Sequence, residues 1–136
     1  MNYYVTITIY LITSLYACKT KKIKVESNIY NSQMEIQTKR YPITVFEGNL
    51  KDINSSEAIP FAEVKLRDRD GINRDKITDK AGNFLIKDLP LGDFKLFITA
   101  DGYQKITYDF SFNEHTYYNC EIKLKKIKPE KPIKTN

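Results

Sequence analysis

Catalysis by this chain of 136 residues would need a nucleophile, a general base or a set of metal ligands close together, and the sequence offers few candidates. Its one histidine, His115, stands in the polar residues 113–116, where a loop between strands is expected. Cys120 shares one face of a strand with Ile122 and Leu124, which predicts a buried small side chain rather than a reactive thiol. The sequence therefore predicts a protein that is not an enzyme and that carries no cofactor.

Oxygen-bearing side chains between residues 68 and 75 could be considered as ligands for a hard cation such as calcium. They are Asp68, Asp70, Asn73 and Asp75. Their spacing does not match the D-x-[DN]-x-[DN]-G pattern of a calcium-binding loop. Asp70 is followed by a glycine, a pair that is common in hairpin turns, so the stretch is interpreted as the charged end of a β-hairpin and no metal is predicted.

Cys18 is the cysteine whose surroundings indicate chemistry. It follows an uncharged, largely apolar segment, and the residues Leu15-Tyr16-Ala17-Cys18 are similar to the modification site of bacterial lipoproteins. A thiol can take a diacylglyceryl group as a stable thioether, and a small Ala17 fits a peptidase that cuts beside it. We expect residues 1–17 to be a signal peptide and Cys18 to be lipidated, which makes a membrane the first partner.

Another interpretation of the beginning of the chain stays open. Residues 1–16 could be an apolar strand or helix of the fold, with Cys18 an ordinary buried thiol. The abrupt change to Lys19-Thr20-Lys21-Lys22 directly after the cysteine favours the lipoprotein signal.

The net charge of +5 is divided unevenly along the chain. Residues 19–43 contain six basic and two acidic residues, residues 44–122 ten and fourteen, and residues 123–136 six and one. The central segment is therefore acidic, and the positive charge lies in its flanks. Nucleic-acid binding needs a basic footprint on a folded face, so no nucleic-acid partner is expected.

Alternating apolar and polar residues predict β-strands throughout residues 44–126, and no run of helical period competes with them. Phe94, Leu96 and Ile98, for example, fall on one face of an extended segment that follows the turn at Pro90. Strands at this spacing, separated by turn residues, predict an all-β sandwich of two sheets with Greek-key connections.

Five blocks of residues within this segment resemble the carboxypeptidase regulatory-like domain family. They are Gly48-x-Leu50-x-Asp52, Ile59-Pro60-Phe61-Ala62-x-Val64-x-Leu66, Thr78-Asp79-x-x-Gly82-x-Phe84, Leu89-Pro90-x-Gly92-x-Phe94-x-Leu96 and Gly102-Tyr103. The resemblance implies a seven-stranded antiparallel Greek-key sandwich of the transthyretin-like kind, without catalytic residues. In the family such domains stand beside peptidases and at the front of outer-membrane receptors, which implies scaffolding or docking.

The expected organisation has four parts. A signal peptide (1–17) precedes the lipidated cysteine and a flexible tether (18–43), the sandwich follows (44–126), and a basic disordered tail ends the chain (127–136).

The expected function is a non-catalytic, lipid-anchored module of the cell envelope. It would mediate protein contact in an outer-membrane or periplasmic assembly, on the periplasmic side, with an envelope partner and an oligomeric state that the sequence leaves open. One alternative is a carbohydrate- or peptide-binding surface lipoprotein that uses an exposed patch of Tyr108, Tyr117 and Tyr118. A second is a transthyretin-like hydrolase, although the several His and Arg residues of such enzymes are absent.

Overall fold

The computed structural model describes the backbone of residues 21–27 and the full structure of residues 32–129. The expected signal peptide and Cys18 lie outside these residues, as do positions 130–136 of the expected tail. Within the described part of the chain, no helix has the length and apolar character needed to cross a bilayer.

Nine strands form the two sheets of a β-sandwich. They are β1 (Lys21–Ser27), β2 (Ser32–Arg40), β3 (Thr44–Asp52), β4 (Glu63–Asp68), β5 (Asn73–Ile77), β6 (Asn83–Leu89), β7 (Gly92–Thr99), β8 (Ile106–Phe112) and β9 (Thr116–Leu124). The strand order is β1-β2-β9-β3-β6 in one sheet and β5-β4-β7-β8 in the other. The all-β sandwich is confirmed, with nine described strands instead of the expected seven.

The core lies between the sheets because one face of nearly every strand is apolar. On β7, Phe94, Leu96 and Ile98 are buried, as their alternation predicts. Phe46 and Phe112, from opposite sheets, are fully buried and lie 6.0 Å apart between ring centroids. Aromatic side chains of this size supply a large part of the apolar area that the sandwich removes from water.

The expectation of a purely antiparallel sandwich is wrong at the centre of the larger sheet. There β3 and β9 run parallel, in register from Val45 opposite Tyr117 to Asp52 opposite Leu124. Between these two strands the chain crosses from sheet to sheet repeatedly, so its return can bring β9 beside β3 in the same direction.

The expectation of a flexible tether over residues 18–43 is wrong for Lys21–Ser27 and for Ser32–Arg40, which are strands β1 and β2. Strand β2 pairs with β9 and buries Met34 and Ile36 in the core. Strand β1 in turn pairs with β2. The apolar alternation is only two residues long and lies among polar residues, so the sequence alone did not distinguish it from coil.

The loops of the sandwich lie at its two ends. We call the end at which β1 begins the proximal end; it has the loops 41–43, 69–72, 90–91 and 113–115. The opposite, distal end has the loops 53–62, 78–82 and 100–105, and the chain leaves β9 there.

Candidate functional site

The three tyrosines of the expected ligand patch do not share a surface. Tyr108 and Tyr118 are 6% and 8% exposed, so the prediction of an exposed patch is wrong for both. The Tyr108 hydroxyl lies 2.8 Å from Ser32 Oγ, and the Tyr118 ring packs edge-on against Phe112 at 5.0 Å. The period-two pattern already placed Tyr118 on the same face as Cys120, which is the signal that it points inward.

Tyr117 points outward from the larger sheet, but its ring is already in contact with the protein. Tyr41 packs edge-on against it at 5.5 Å, and Lys39 Nζ lies 5.3 Å from its centroid. Its hydroxyl donates a hydrogen bond to Glu47. Tyr117 therefore lacks the free ring face that a stacked sugar would need.

His115, Cys120 and Asp68, which were also considered for chemistry, have structural partners. His115 is exposed, with Nδ1 3.1 Å from Thr44 Oγ1. Cys120 is buried, its thiol donates to Glu47 O at 3.3 Å, and burial raises its pKa well above the usual range. Asp68 accepts from Ile72 N at 2.8 Å within the hairpin between β4 and β5. Among the described residues, no three His, Cys, Asp or Glu side chains are grouped to hold a metal.

A groove of about 570 Å³ runs along the outer face of the smaller sheet, across β4, β7 and β8. Its charged side chains have partners in the same face. Lys95 Nζ lies 3.4 Å from Asp109, and the Arg67 guanidinium lies 5.4 Å from the Phe97 ring centroid. The groove is therefore a mixed-charge surface whose groups already interact with each other.

Phe61, at the distal end, is a large apolar side chain that the fold holds in solvent. It is 68% exposed, and its φ of 57° lies in the left-handed region that bulky residues rarely adopt. Pro60 precedes it, and proline followed by a residue with positive φ is the pattern of a type II turn, in which the second position is usually Gly or Asn. An aromatic residue at this position costs backbone energy, so it needs support from the surrounding structure.

Thr78 supplies that support. Its buried hydroxyl accepts from Ala62 N at 2.8 Å and donates to Ile59 O at 3.0 Å, so it bridges the two residues that flank the turn. Phe61 N also donates to Thr78 O at 3.0 Å. Residues 59–62, which we call the Phe61 turn, are therefore fixed to the loop that follows β5.

Asp79, the next residue, orders that second loop. Its carboxylate accepts from Ala81 N and Asn83 N, both at 2.9 Å, so it caps local backbone amides. Ile77, the last residue of β5, is 59% exposed. Because it immediately precedes Thr78, it places a second exposed apolar side chain beside the Phe61 turn.

The beginning of loop 53–62 is held by Asp52, a buried carboxylate at the end of β3. It accepts from Ser55 N at 2.9 Å and Asn54 N at 2.8 Å. Tyr103 donates to its second oxygen at 3.1 Å, and Lys126 Nζ lies 3.5 Å away. The two backbone hydrogen bonds are the main reason that the Asp52 pKa is lowered from 3.8 to about 2. The Tyr103 hydrogen bond and the Lys126 charge add to this lowering, and burial opposes it.

Sequence reasoning did not identify the Asp52 cluster or the Phe61 turn as a site. The residues of both features lie within the five blocks. Asp52 ends the first block, Phe61 is in the second, and Tyr103 ends the last. Proline is common in turns, but no sequence rule places an aromatic residue such as Phe61 at positive φ after it.

The chain is thus a two-sheet β-sandwich whose most unusual surface feature is an exposed aromatic residue on a braced loop. The sequence model of the carboxypeptidase regulatory-like domain matches residues 45–125, more than half of the chain, and the chain belongs to this family. No curated protein matches the sequence significantly.

Several solved structures share the fold. A variant of BcpA, the major pilin subunit of Bacillus cereus, is similar with a TM-score of 0.53 and 17% identity over 75% of this chain and 40% of the pilin. A second BcpA structure gives a TM-score of 0.50 and 16% identity over 76% and 40%. The chain thus spans well under half of the pilin. 3-Chlorocatechol 1,2-dioxygenase from Rhodococcus opacus 1CP is similar with a TM-score of 0.53 and 9% identity over 88% and 77%. At these identities the likeness concerns the fold alone.

Proposed function

We propose that the chain is a non-catalytic, lipid-anchored module of the bacterial cell envelope that binds a protein partner through the Phe61 turn. Membership of the regulatory-like domain family supports a docking role. The surroundings of His115 and Cys120 support a non-catalytic role, since His115 Nδ1 faces Thr44 and the buried Cys120 thiol donates to a backbone carbonyl. The lipoprotein-like residues that end at Cys18 support the anchor.

The observation that carries the proposal is the combination of exposure and order at Phe61. An exposed aromatic ring on a mobile loop would lose side-chain and backbone freedom when it bound. Here the loop is fixed by Thr78 on one side and by Asp52 on the other, so the backbone that carries the ring is ordered before the partner arrives. Rigid aromatic side chains are typical anchors of protein interfaces.

The chemistry of the site favours a protein partner with an apolar pocket. Phe61 and Ile77 offer apolar surface without hydroxyl groups. Glu57 lies in the same loop as Phe61, and the ion pair of Glu63 with Lys65 lies on β4, the strand that follows the turn. A polar or charged rim around an apolar centre is the usual arrangement of a protein interface. The carbohydrate-binding alternative relied on a patch of three exposed tyrosines, and Tyr108 and Tyr118 are buried.

The outer membrane, on its periplasmic side, is the proposed location. The mature chain would begin with Cys18 followed by the basic Lys19-Thr20-Lys21-Lys22, unlike the acidic signals that direct some lipoproteins to the cell surface. Mass spectrometry of the mature amino terminus should show Cys18 carrying acyl chains. An unmodified thiol or an intact Met1 would overturn the anchor.

Site-specific photo-crosslinking in living cells tests the contact. We would replace Phe61 with p-benzoylphenylalanine, which keeps an aromatic ring, and use the same replacement at Leu85 as the control because Leu85 is exposed on β6, outside residues 59–62. A discrete protein adduct at position 61 and none at position 85 supports the proposal. No adduct at position 61, or the same adducts at both positions, would overturn it.

A further inference from the structure

The place where the chain joins the fold limits where a lipid on Cys18 can lie. Strand β1 begins at Lys21, opposite Thr38 near the proximal end of β2. Only Lys19 and Thr20 separate Lys21 from Cys18. Three steps between Cα atoms cover at most about 11 Å. This inference rests on the lipid anchor of the proposed function, and it places the acylated Cys18 within that distance of Lys21 at the proximal end.

The loops of the proximal end carry three exposed apolar side chains. Tyr41 is 42% exposed in loop 41–43, Ile72 is 55% exposed in loop 69–72, and Leu91 is 47% exposed in loop 90–91. The three loops join different pairs of strands, so the side chains are spread over the end of the sandwich. Tyrosine and aliphatic side chains are favoured at the boundary between head groups and acyl chains.

The exposed apolar side chains do not by themselves show which end faces the membrane, because Phe61 and Ile77 are at least as exposed at the distal end. The attachment of the lipid at Cys18, close to the start of β1, favours the proximal end. A strand of nine residues such as β9 is about 30 Å long, so an upright sandwich holds the Phe61 turn about that far above the anchor.

A sandwich lying on its side would press a charged sheet face against the lipid. The outer face of the larger sheet carries Glu47, Lys51 and Glu121, and the outer face of the smaller sheet carries Arg67 and Lys95. Placing such groups against acyl chains removes them from water at a high free-energy cost. The upright orientation keeps both faces in water.

We propose that the proximal end is a membrane-facing surface, at which Tyr41, Ile72 and Leu91 enter the lipid interface and hold the sandwich upright. Besides the acidic and basic residues of its loops, this end has Lys39 and Arg40 at the end of β2, and Lys19, Lys21 and Lys22 lie close to Cys18 in the sequence. Anionic lipid should therefore strengthen its contact with the membrane, and added salt should weaken that part of the contact.

Fluorescence quenching of the full-length, acylated protein in vesicles tests the orientation. The vesicles contain phosphatidylethanolamine and phosphatidylglycerol, with a nitroxide quencher on a fraction of the head groups. A fluorophore is attached to Leu91→Cys or to Phe61→Cys, since Cys120 is buried and unreactive. Because the two positions lie at opposite ends of strands about 30 Å long, quenching should be at least about threefold stronger at position 91. Equal quenching, or stronger quenching at position 61, would overturn the proposal.

A second variant tests whether the exposed apolar side chains, and not only the short linkage to the lipidated Cys18, hold the proximal end at the membrane. With the label at Leu91→Cys, the exposed side chains are replaced by Tyr41→Ser and Ile72→Ser, and quenching should fall by about half because interfacial binding scales with apolar area. Unchanged quenching would overturn the role of these side chains.

Flotation of the vesicles distinguishes a failure of the proposed orientation from a failure of the lipid anchor. Protein that floats and carries acyl chains on Cys18 but shows no difference between positions 91 and 61 contradicts only the orientation. Protein that does not float contradicts the anchor, and the orientation with it.

Discussion

Because Phe61 has a positive φ, we predict that glycine at this position is more stable than alanine, which reverses the usual order. At an ordinary loop or strand position, glycine is less stable than alanine by roughly 0.5–1 kcal/mol, because glycine loses more backbone freedom on folding. Phe61 has a φ of 57°, where alanine keeps the steric cost of the left-handed region and glycine does not. Both substitutions remove the same ring, so the contacts that the ring makes cancel in the comparison. Phe61→Gly should therefore be more stable than Phe61→Ala by about 0.5–1 kcal/mol.

Urea denaturation of the purified protein, followed by far-ultraviolet circular dichroism, measures the difference. Leu85, exposed on β6, gives the matched control, and there the alanine variant should be the more stable of the two. Because Phe61 is 68% exposed, Phe61→Gly should also stay within about 1 kcal/mol of the wild type, whereas truncating a buried phenylalanine costs roughly 3–5 kcal/mol. A Phe61→Gly variant that is less stable than Phe61→Ala would refute the account of a strained, exposed anchor.

Three further predictions concern the residues that brace the site and the core. Thr78→Val should lower the free energy of unfolding by about 2 kcal/mol in urea titrations, because the buried amide and carbonyl that the hydroxyl bridges lose their partner. The pKa of Asp52 is lowered from 3.8 to about 2, so its carboxylate contributes stability above about pH 4 that is lost as the pH falls towards 2. Asp52→Asn should flatten the dependence of the urea midpoint on pH in that range, and an unchanged profile would contradict the proposed hydrogen bonds. Gly48→Ala should cost about 1–3 kcal/mol or prevent folding, because a Cβ there would lie 2.5 Å from Cys120 Sγ and from Phe84 Cζ; wild-type stability in thermal melts would show the packing to be looser.

The body of the fold could be predicted from the sequence because its strands alternate clearly and its turns carry Gly, Pro and Asp at the positions that turns need. The alternation of Phe94, Leu96 and Ile98 matches the burial on β7. The role of Asp79 as a cap was also readable, since a carboxylate at the start of a turn accepts from nearby amides.

The additional strand β2 could not be predicted with the same rules. Its evidence is the pair Met34 and Ile36 in a polar segment, and its partner β9 lies about eighty residues further along the chain. Pairing over such a separation depends on the completed sheet rather than on local pattern. The parallel pairing of β3 with β9 could not be predicted from the local pattern for the same reason.

The candidate site was only partly accessible to sequence reasoning. The burial of Tyr108 and Tyr118 could have been predicted, because Tyr118 is two residues from Cys120 and Tyr108 is two residues from Ile106, each pair on one face of a strand. The exposure of Phe61 is different in kind. It depends on a hydroxyl from Thr78 that enters the turn from another loop, and no local pattern encodes that contact.

The affinity of the crosslinked partner for purified variants tests the central claim most directly. Asp88→Gly is the matched control, because Asp88 has a similar φ of 55° but lies at the proximal end. Burying the exposed two-thirds of a phenylalanine ring contributes roughly 1–2 kcal/mol, so Phe61→Gly should weaken binding about tenfold or more while Asp88→Gly binds like the wild type. Wild-type affinity in the Phe61→Gly variant, measured by isothermal titration calorimetry, would contradict the assignment of the Phe61 turn as the contact site.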